Sequence, residues 1–218
     1  DLFLFSMDGR KVNNYFTFIA LIIALANGGY LALAVADNMS EVLLANKISY
    51  LGGCFLPPIM LFCICTICNF KINRWVRYLL YLYSFFVYAM VLFTGHSTFY
   101  YKKTYMSYYK NATVLHNDHG TGYYFFYVIL YGYMIAEIAI LVYSLMKRRT
   151  VSRKNLWALI LMEVITTAFF LGSRMMDSDI EIMPVLYVLD GWIFWYLYQR
   201  VTMYNLEDNV LSSIRKQE

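Results

Sequence analysis

Long apolar stretches alternate with short polar loops along all 218 residues of the chain. Six stretches approach the ~20 apolar residues that a helix needs to cross a bilayer. We predict a membrane-spanning helix in each, over residues 15–36, 48–70, 78–95, 123–146, 156–172 and 182–198. Because the short alternating segments of a membrane β-barrel do not occur in the sequence, the pattern predicts an all-α, polytopic helical membrane bundle.

Small and helix-breaking residues interrupt two of these stretches. Gly28-Gly29 and Gly52-Gly53 are of the kind that lets helices approach closely in membranes. Pro57-Pro58 lies near the middle of the second stretch, where we predict a kink. The first two helices are therefore expected to make close contacts.

The sixth stretch runs on into a tail at residues 201–218. Apolar residues recur in it at three- and four-residue spacing, at Met203, Leu206, Val210 and Ile214. This spacing is typical of a parallel dimeric coiled coil or of an amphipathic helix lying on the membrane. Since the helical pattern leaves the sixth stretch without a break, we favour the coiled coil and a homodimer formed through it. Residues 1–200 then form the membrane domain.

Composition and missing motifs exclude several classes of protein. A chain that is 61% hydrophobic and 15% charged is not a soluble domain. The net charge of +4 is spread over the loops without a basic run, so we predict no nucleic-acid partner. The sixth stretch has no Lys for a retinal Schiff base, and no phosphate-binding loop, nucleophile elbow or H-E-x-x-H motif is present. We therefore predict no enzyme activity and no cofactor in this segment.

Basic residues are distributed unequally between the two sets of loops. Thirteen of the 18 Lys and Arg residues fall on one side if the chain crosses the membrane six times. Lys47, Lys102, Lys103, Lys110 and Arg174 fall on the other. By the positive-inside rule, the basic side is cytoplasmic and both ends of the chain lie there. The loop at residues 96–122 is then outside the plasma membrane.

This long outer loop is rich in Tyr and Lys and holds all three His residues. Tyr100 and Tyr101 begin a segment that forms either a small hairpin, a lid facing a ligand, or an aromatic belt on the membrane surface. His116, Asp118 and His119 combine imidazole with carboxylate, a set that suits a divalent metal. The alternative is a solvated polar turn, since the spacing matches no closed structural metal site.

Three carboxylates lie near the centres of the last three stretches, at Glu137, Glu163 and Asp190. Ionisable side chains are costly in a membrane and mark candidate functional sites. One reading is a shared polar ligand pocket or a proton-sensitive switch. The other is that each group is neutral and bonded to a nearby hydroxyl, and only holds helices together.

Several short motifs resemble the N-terminal seven-helix sensor region of bacterial histidine kinases and diguanylate cyclases. The motifs are Ile48-Ser49-Tyr50-Leu51-Gly52 before Pro57-Pro58 and Phe62, Gly95-His96, Arg153-Lys154-Asn155, and Asp179-Ile180-Glu181-Ile182-Met183-Pro184. In the last motif, Glu and Met replace the family's Asp and Thr. The tail LEDNVLSSIRKQE looks like the lead-in to a PAS or GGDEF domain.

The resemblance implies a sensor that couples an unknown small-molecule or membrane stimulus to a cytoplasmic output domain. It favours a diguanylate cyclase parent over a histidine kinase, and it adds His96 to the ligand-binding candidates. The family has seven helices, so the apolar start at Leu2 is interpreted as the remnant of a missing first helix. A small transport or substrate-capture subunit is the alternative, because six spans around a carboxylate-lined cavity would also suit that role.

Overall fold

The computed structural model describes residues 2–68, 70–110, 112–147, 153–175, 182–196 and 199. Six helices and two strands occur within these ranges. The elements are α1 Leu2–Ala34, α2 Met39–Ile67, α3 Arg74–Leu92, β1 Tyr101–Tyr109, β2 Ala112–His119, α4 Tyr123–Met146, α5 Arg153–Met175 and α6 over residues 183–196. The helical bundle is confirmed, and the loop at residues 96–122 contains an antiparallel hairpin, one of the forms predicted for it.

Four of the helices are long and apolar enough to cross a membrane. They are the Asn14–Ala34 part of α1 and the whole of α2, α3 and α4. The apolar part of α5 is shorter, Leu156–Phe169, and α6 covers residues 183–196. The predicted count of six spans is therefore not confirmed by the described residues, and the tail at residues 201–218 lies outside them.

Helices α1 and α2 extend beyond the apolar stretches that predicted them. Leu2–Phe5 belongs to the same helix as the first span, rather than to a separate earlier one. Helix α2 begins at Met39, where the Asn38 side chain accepts a hydrogen bond from the backbone N–H of Glu41 at 3.0 Å. Glu41 in turn accepts from the N–H of Asp37, the residue before the cap, so polar side chains satisfy two backbone N–H groups ahead of the apolar run.

Helix α2 lies at the centre of the bundle and contacts α1, α3 and α4. Close approach to α1 depends on Gly29, because a Cβ there would lie 2.4 Å from the backbone nitrogen of Ser49. A Cβ on Gly52 would lie 2.7 Å from the Tyr187 ring of α6, and one on Gly53 2.8 Å from the Phe126 ring of α4. Close packing is thus confirmed at three of the four glycines; Gly28 has nothing within 4 Å.

The outer face of α3 is covered with large exposed apolar side chains. Trp75, Leu79, Leu82 and Phe86 are all more than half exposed. Exposing a continuous apolar surface of this kind to water costs free energy, whereas contact with lipid does not. The chain is accordingly a multi-pass membrane protein.

The hairpin is anchored to the helices at one end of the bundle. Its strands pair in antiparallel register from Tyr101 and His119 to Tyr109 and Ala112, with an irregularity after Tyr101. The buried Thr113 hydroxyl donates to the backbone carbonyl of Ala36, just beyond α1, at 2.7 Å. The hairpin therefore covers the end of the bundle where α1 finishes and α2 starts.

Candidate functional site

A cavity of about 460 Å³ runs from the hairpin into the helical bundle. Its wall comes from α1, α2, α4, α5, α6 and the hairpin, so it lies where these elements meet. Along α4 the lining extends from Tyr123 to Glu137, fourteen residues apart, which corresponds to about 21 Å of helix. The volume falls within the ~300–1,000 Å³ typical of small-molecule sites.

The deep end of this cavity contains all three predicted carboxylates. Glu137 comes from α4, Glu163 from α5 and Asp190 from α6, and each is about 95% buried. Glu137 and Glu163 lie close enough to interact electrostatically. The structure therefore brings the three together in one site, as the pocket reading expected.

The hydrogen bonding of these carboxylates is incomplete. Thr166 donates to Asp190 Oδ1 at 2.6 Å, which is the kind of hydroxyl partner that the packing reading expected. In contrast, Oε1 of Glu137 and Oε1 of Glu163 are buried without a hydrogen-bond partner. No Lys or Arg occurs among the described residues that line the cavity. The deep end thus carries acceptor oxygens that the described protein groups leave unused.

Aromatic side chains dominate the rest of the wall. The hydroxyls of Tyr50 and Tyr101 are 2.6 Å apart, which joins α2 to the hairpin at the hairpin end of the cavity. Tyr100 lies behind them, with its ring centroid 5.8 Å from that of Tyr50. Burial raises the pKa of Tyr100 far above its usual range, so that its hydroxyl stays neutral. Of the two predicted tyrosines, Tyr101 lines the cavity and Tyr100 supports it.

The three His residues have different positions. His116 stacks on Tyr105 at 4.9 Å, and its Nε2 lies 2.8 Å from the Ser107 hydroxyl. The ring of His119 is 3.7 Å from that of Tyr123, centroid to centroid. Both His116 and His119 line the cavity. His96 is exposed in the turn after α3 and does not line it.

The predicted metal set is not assembled. Asp118 does not line the cavity with His116 and His119. Adjacent residues in a strand point to opposite faces, which separates Asp118 from His119. Over the part of the chain that is described, no group of three His, Cys, Asp or Glu side chains is placed to hold a metal ion.

Sequence reasoning missed several polar residues of the wall. Asn46 and Ser49 of α2 are buried and line the cavity. Thr166 and Thr167 of α5 are half-buried and also line it. Tyr187 of α6 also lines it, and its ring centroid lies 6.4 Å from that of Tyr30. Asn46 gave no signal in the sequence, because it precedes the apolar stretch predicted at residues 48–70.

The fold and this cavity define a class: a multi-pass helical membrane protein with a buried, acidic, aromatic-walled site beneath an extramembrane hairpin. Residues 2–206 match the family described as the N-terminal 7TM region of histidine kinase. The chain belongs to this family, which confirms the resemblance found in its motifs. No curated protein and no solved structure matches the chain.

The family match fixes the function at a coarse level. The chain is a membrane sensory module of the histidine kinase 7TM type, a kind of region that is not itself catalytic.

Proposed function

We propose that this module receives its stimulus in the cavity and passes the change through α6 to a cytoplasmic output domain. The observation that carries the proposal is the position of Asp190. It belongs to the last described helix and shares the cavity with Glu137 and Glu163 on two other helices. A ligand that changes the spacing of these groups would therefore act directly on the helix that leads to the tail.

The proposed orientation places the hairpin outside and both ends of the chain inside, with six spans in all. The alternation of the first four helices supports it: α1 ends, α2 begins and α4 begins beside the hairpin. Lys71, Arg74 and Lys147 follow or precede the opposite helix ends. The basic loops therefore share one end of the bundle, which is the cytoplasmic end by the positive-inside rule.

The proposal extends to the kind of output domain that the sensor controls. The tail sequence favours a diguanylate cyclase by its resemblance to linkers before GGDEF domains, whereas the matched family is named for histidine kinases. In either case, we propose that two copies pair through the tail helix and that the sensor acts by changing this pairing. Such a switch needs a ligand that binds one state more tightly than the other, by a few kcal/mol for a full shift.

The test compares cavity variants in the full-length protein that contains this chain. Replacing Glu137, Glu163 and Asp190 together by Ala is expected to change basal output and to abolish the response to stimulus. Output is measured as autophosphorylation or cyclic di-GMP formation in membranes. Asp118→Asn is the matched control, because this carboxylate lies in the hairpin outside the cavity wall.

Normal output and response in the triple variant would contradict the proposal. Ligand uptake into cells that depends on the three carboxylates, with output unaffected, would instead favour the transport or substrate-capture alternative.

A further inference from the structure

We propose that the cavity binds an elongated organic cation, with its ammonium group at Glu137, Glu163 and Asp190 and its apolar body along the aromatic wall. This proposal rests on the proposed function for its role in signalling, but the binding itself is a separate claim.

Charge determines the sign of the ligand. The deep end holds three carboxyl groups, and the described wall contains no Lys or Arg to neutralise them. Burying carboxylates without a counter-charge is costly in a low-dielectric bundle. A ligand that brings one positive charge lowers this cost, whereas an anion would raise it.

Two carboxylate oxygens at the deep end lack a hydrogen-bond donor. Glu137 Oε1 and Glu163 Oε1 are buried with no partner, on residues that are only 4% and 5% exposed. An ammonium group carries up to three N–H donors and no acceptor, which suits two acceptor oxygens that lack a donor. Two carboxylates from different helices can then be bridged by one ligand group.

The aromatic wall suits the carbon atoms next to the charge. Tyr187 precedes Asp190 by about one helical turn, so both lie on one face of α6, and both line the cavity. Aromatic faces attract ammonium groups and the polarised methyl or methylene groups attached to them, by about 0.5–2 kcal/mol each. A cavity that combines acid groups with aromatic rings therefore favours an organic cation over a hydrated inorganic one.

Shape selects an extended ligand. The lining covers about 21 Å along α4, from Tyr123 to Glu137, within a volume of about 460 Å³. The cavity is therefore elongated along α4. Leu56, Met60 and Leu130 supply apolar surface along its length. A short compact amine would leave most of this surface without contact.

The experiment measures binding to the protein in lipid nanodiscs by calorimetry. The probes share a six-carbon chain and differ in the head group: hexylammonium, hexyltrimethylammonium, 1-hexanol and hexanoate. We expect at least one of the two cations to bind tenfold or more tightly than hexanol, which is about 1.4 kcal/mol. Hexanoate is expected not to bind.

Variants connect the binding to the residues. Glu137→Gln with Glu163→Gln, and separately Asp190→Asn, are each expected to weaken binding of the better cation by ten- to hundredfold, since a hydrogen bond to a charged group is lost. Asp118→Asn is expected to leave it unchanged. Thermal unfolding of every variant distinguishes loss of the site from loss of the fold, and Asp190→Asn keeps the test valid if the double variant does not fold.

Three results would overturn the proposal. They are equal affinity for hexanol and both cations, binding of sodium ions with the same affinity as the cations, and absence of cation binding at millimolar concentration. The signalling role fails separately: tight cation binding with no effect on output would leave this site intact and refute the sensory function. Changed output in the cavity variants, without any cation binding to the protein, would refute the binding site and leave the sensory function standing.

Discussion

Two adjacent glycines of α1 offer a test of how closely the first two helices approach. A Cβ on Gly29 would lie 2.4 Å from Ser49 N and 2.9 Å from Ser49 Cα, and both are backbone atoms that cannot rotate away. Ordinary contact begins near 3.4 Å, so Gly29→Ala must move the two backbones apart by about 1 Å. A Cβ on Gly28 would meet nothing within 4 Å.

The magnitude follows from two opposing contributions. Ala is favoured over Gly inside a helix by about 1 kcal/mol, and this gain applies equally to both positions. Overpacking typically costs about 1–3 kcal/mol, and it applies to Gly29 alone. We therefore expect Gly28→Ala to be neutral or stabilising, and Gly29→Ala to be less stable than Gly28→Ala by about 1–3 kcal/mol or more.

The assay is reversible unfolding in mixed micelles, with the two variants measured under the same conditions. The difference between them cancels the helix-propensity gain and isolates the contact with Ser49. Equal unfolding free energies for Gly28→Ala and Gly29→Ala would refute the reasoning, because the α1–α2 contact would then not be limited by Gly29.

Two further predictions concern the hairpin and the orientation. Thr113→Val removes the hydrogen bond to the Ala36 carbonyl, which is worth roughly 1 kcal/mol, so the hairpin amides should exchange with solvent about fivefold faster. Thr113→Ser keeps the hydroxyl and should retain the wild-type exchange rate. An unchanged rate in the Val variant would argue against this anchor. Lys103→Cys should react with an impermeant maleimide in intact cells, and Lys71→Cys only after permeabilisation. The background reaction should be low because the four native cysteines are buried. The reverse pattern would invert the proposed topology.

Hydrophobic pattern predicted the helices but not their full lengths. The sequence placed the start of the second helix at residue 48, whereas α2 begins at Met39. The first turns contain Glu41 and Lys47, which lower the hydropathy without weakening the helix. The cap at Asn38 determines the start, and this is a local hydrogen-bond signal rather than an apolar one.

The candidate site was predictable residue by residue but not as an assembly. Each carboxylate stood out alone, since a charge in an apolar stretch is conspicuous. Whether Glu137, Glu163 and Asp190 meet depends on how α4, α5 and α6 rotate about their axes, and helical stretches that are apolar nearly all round carry little information on this. The same limit applies to Gly28 and Gly29, which look equivalent in sequence but face different surroundings.

The Tyr187 ring fits into a notch that Gly52 leaves on α2, and this limits how α6 can move. A slide of one helical turn, about 5.4 Å, would bring the ring level with Ile48 or Leu56, which lie four residues from Gly52 on the same face of α2 and carry side chains where the glycine has none. Sliding of α6 along α2 would therefore meet a larger residue in either direction. Tilting of α6 about the ring keeps the ring over Gly52, so this contact restricts sliding more than tilting.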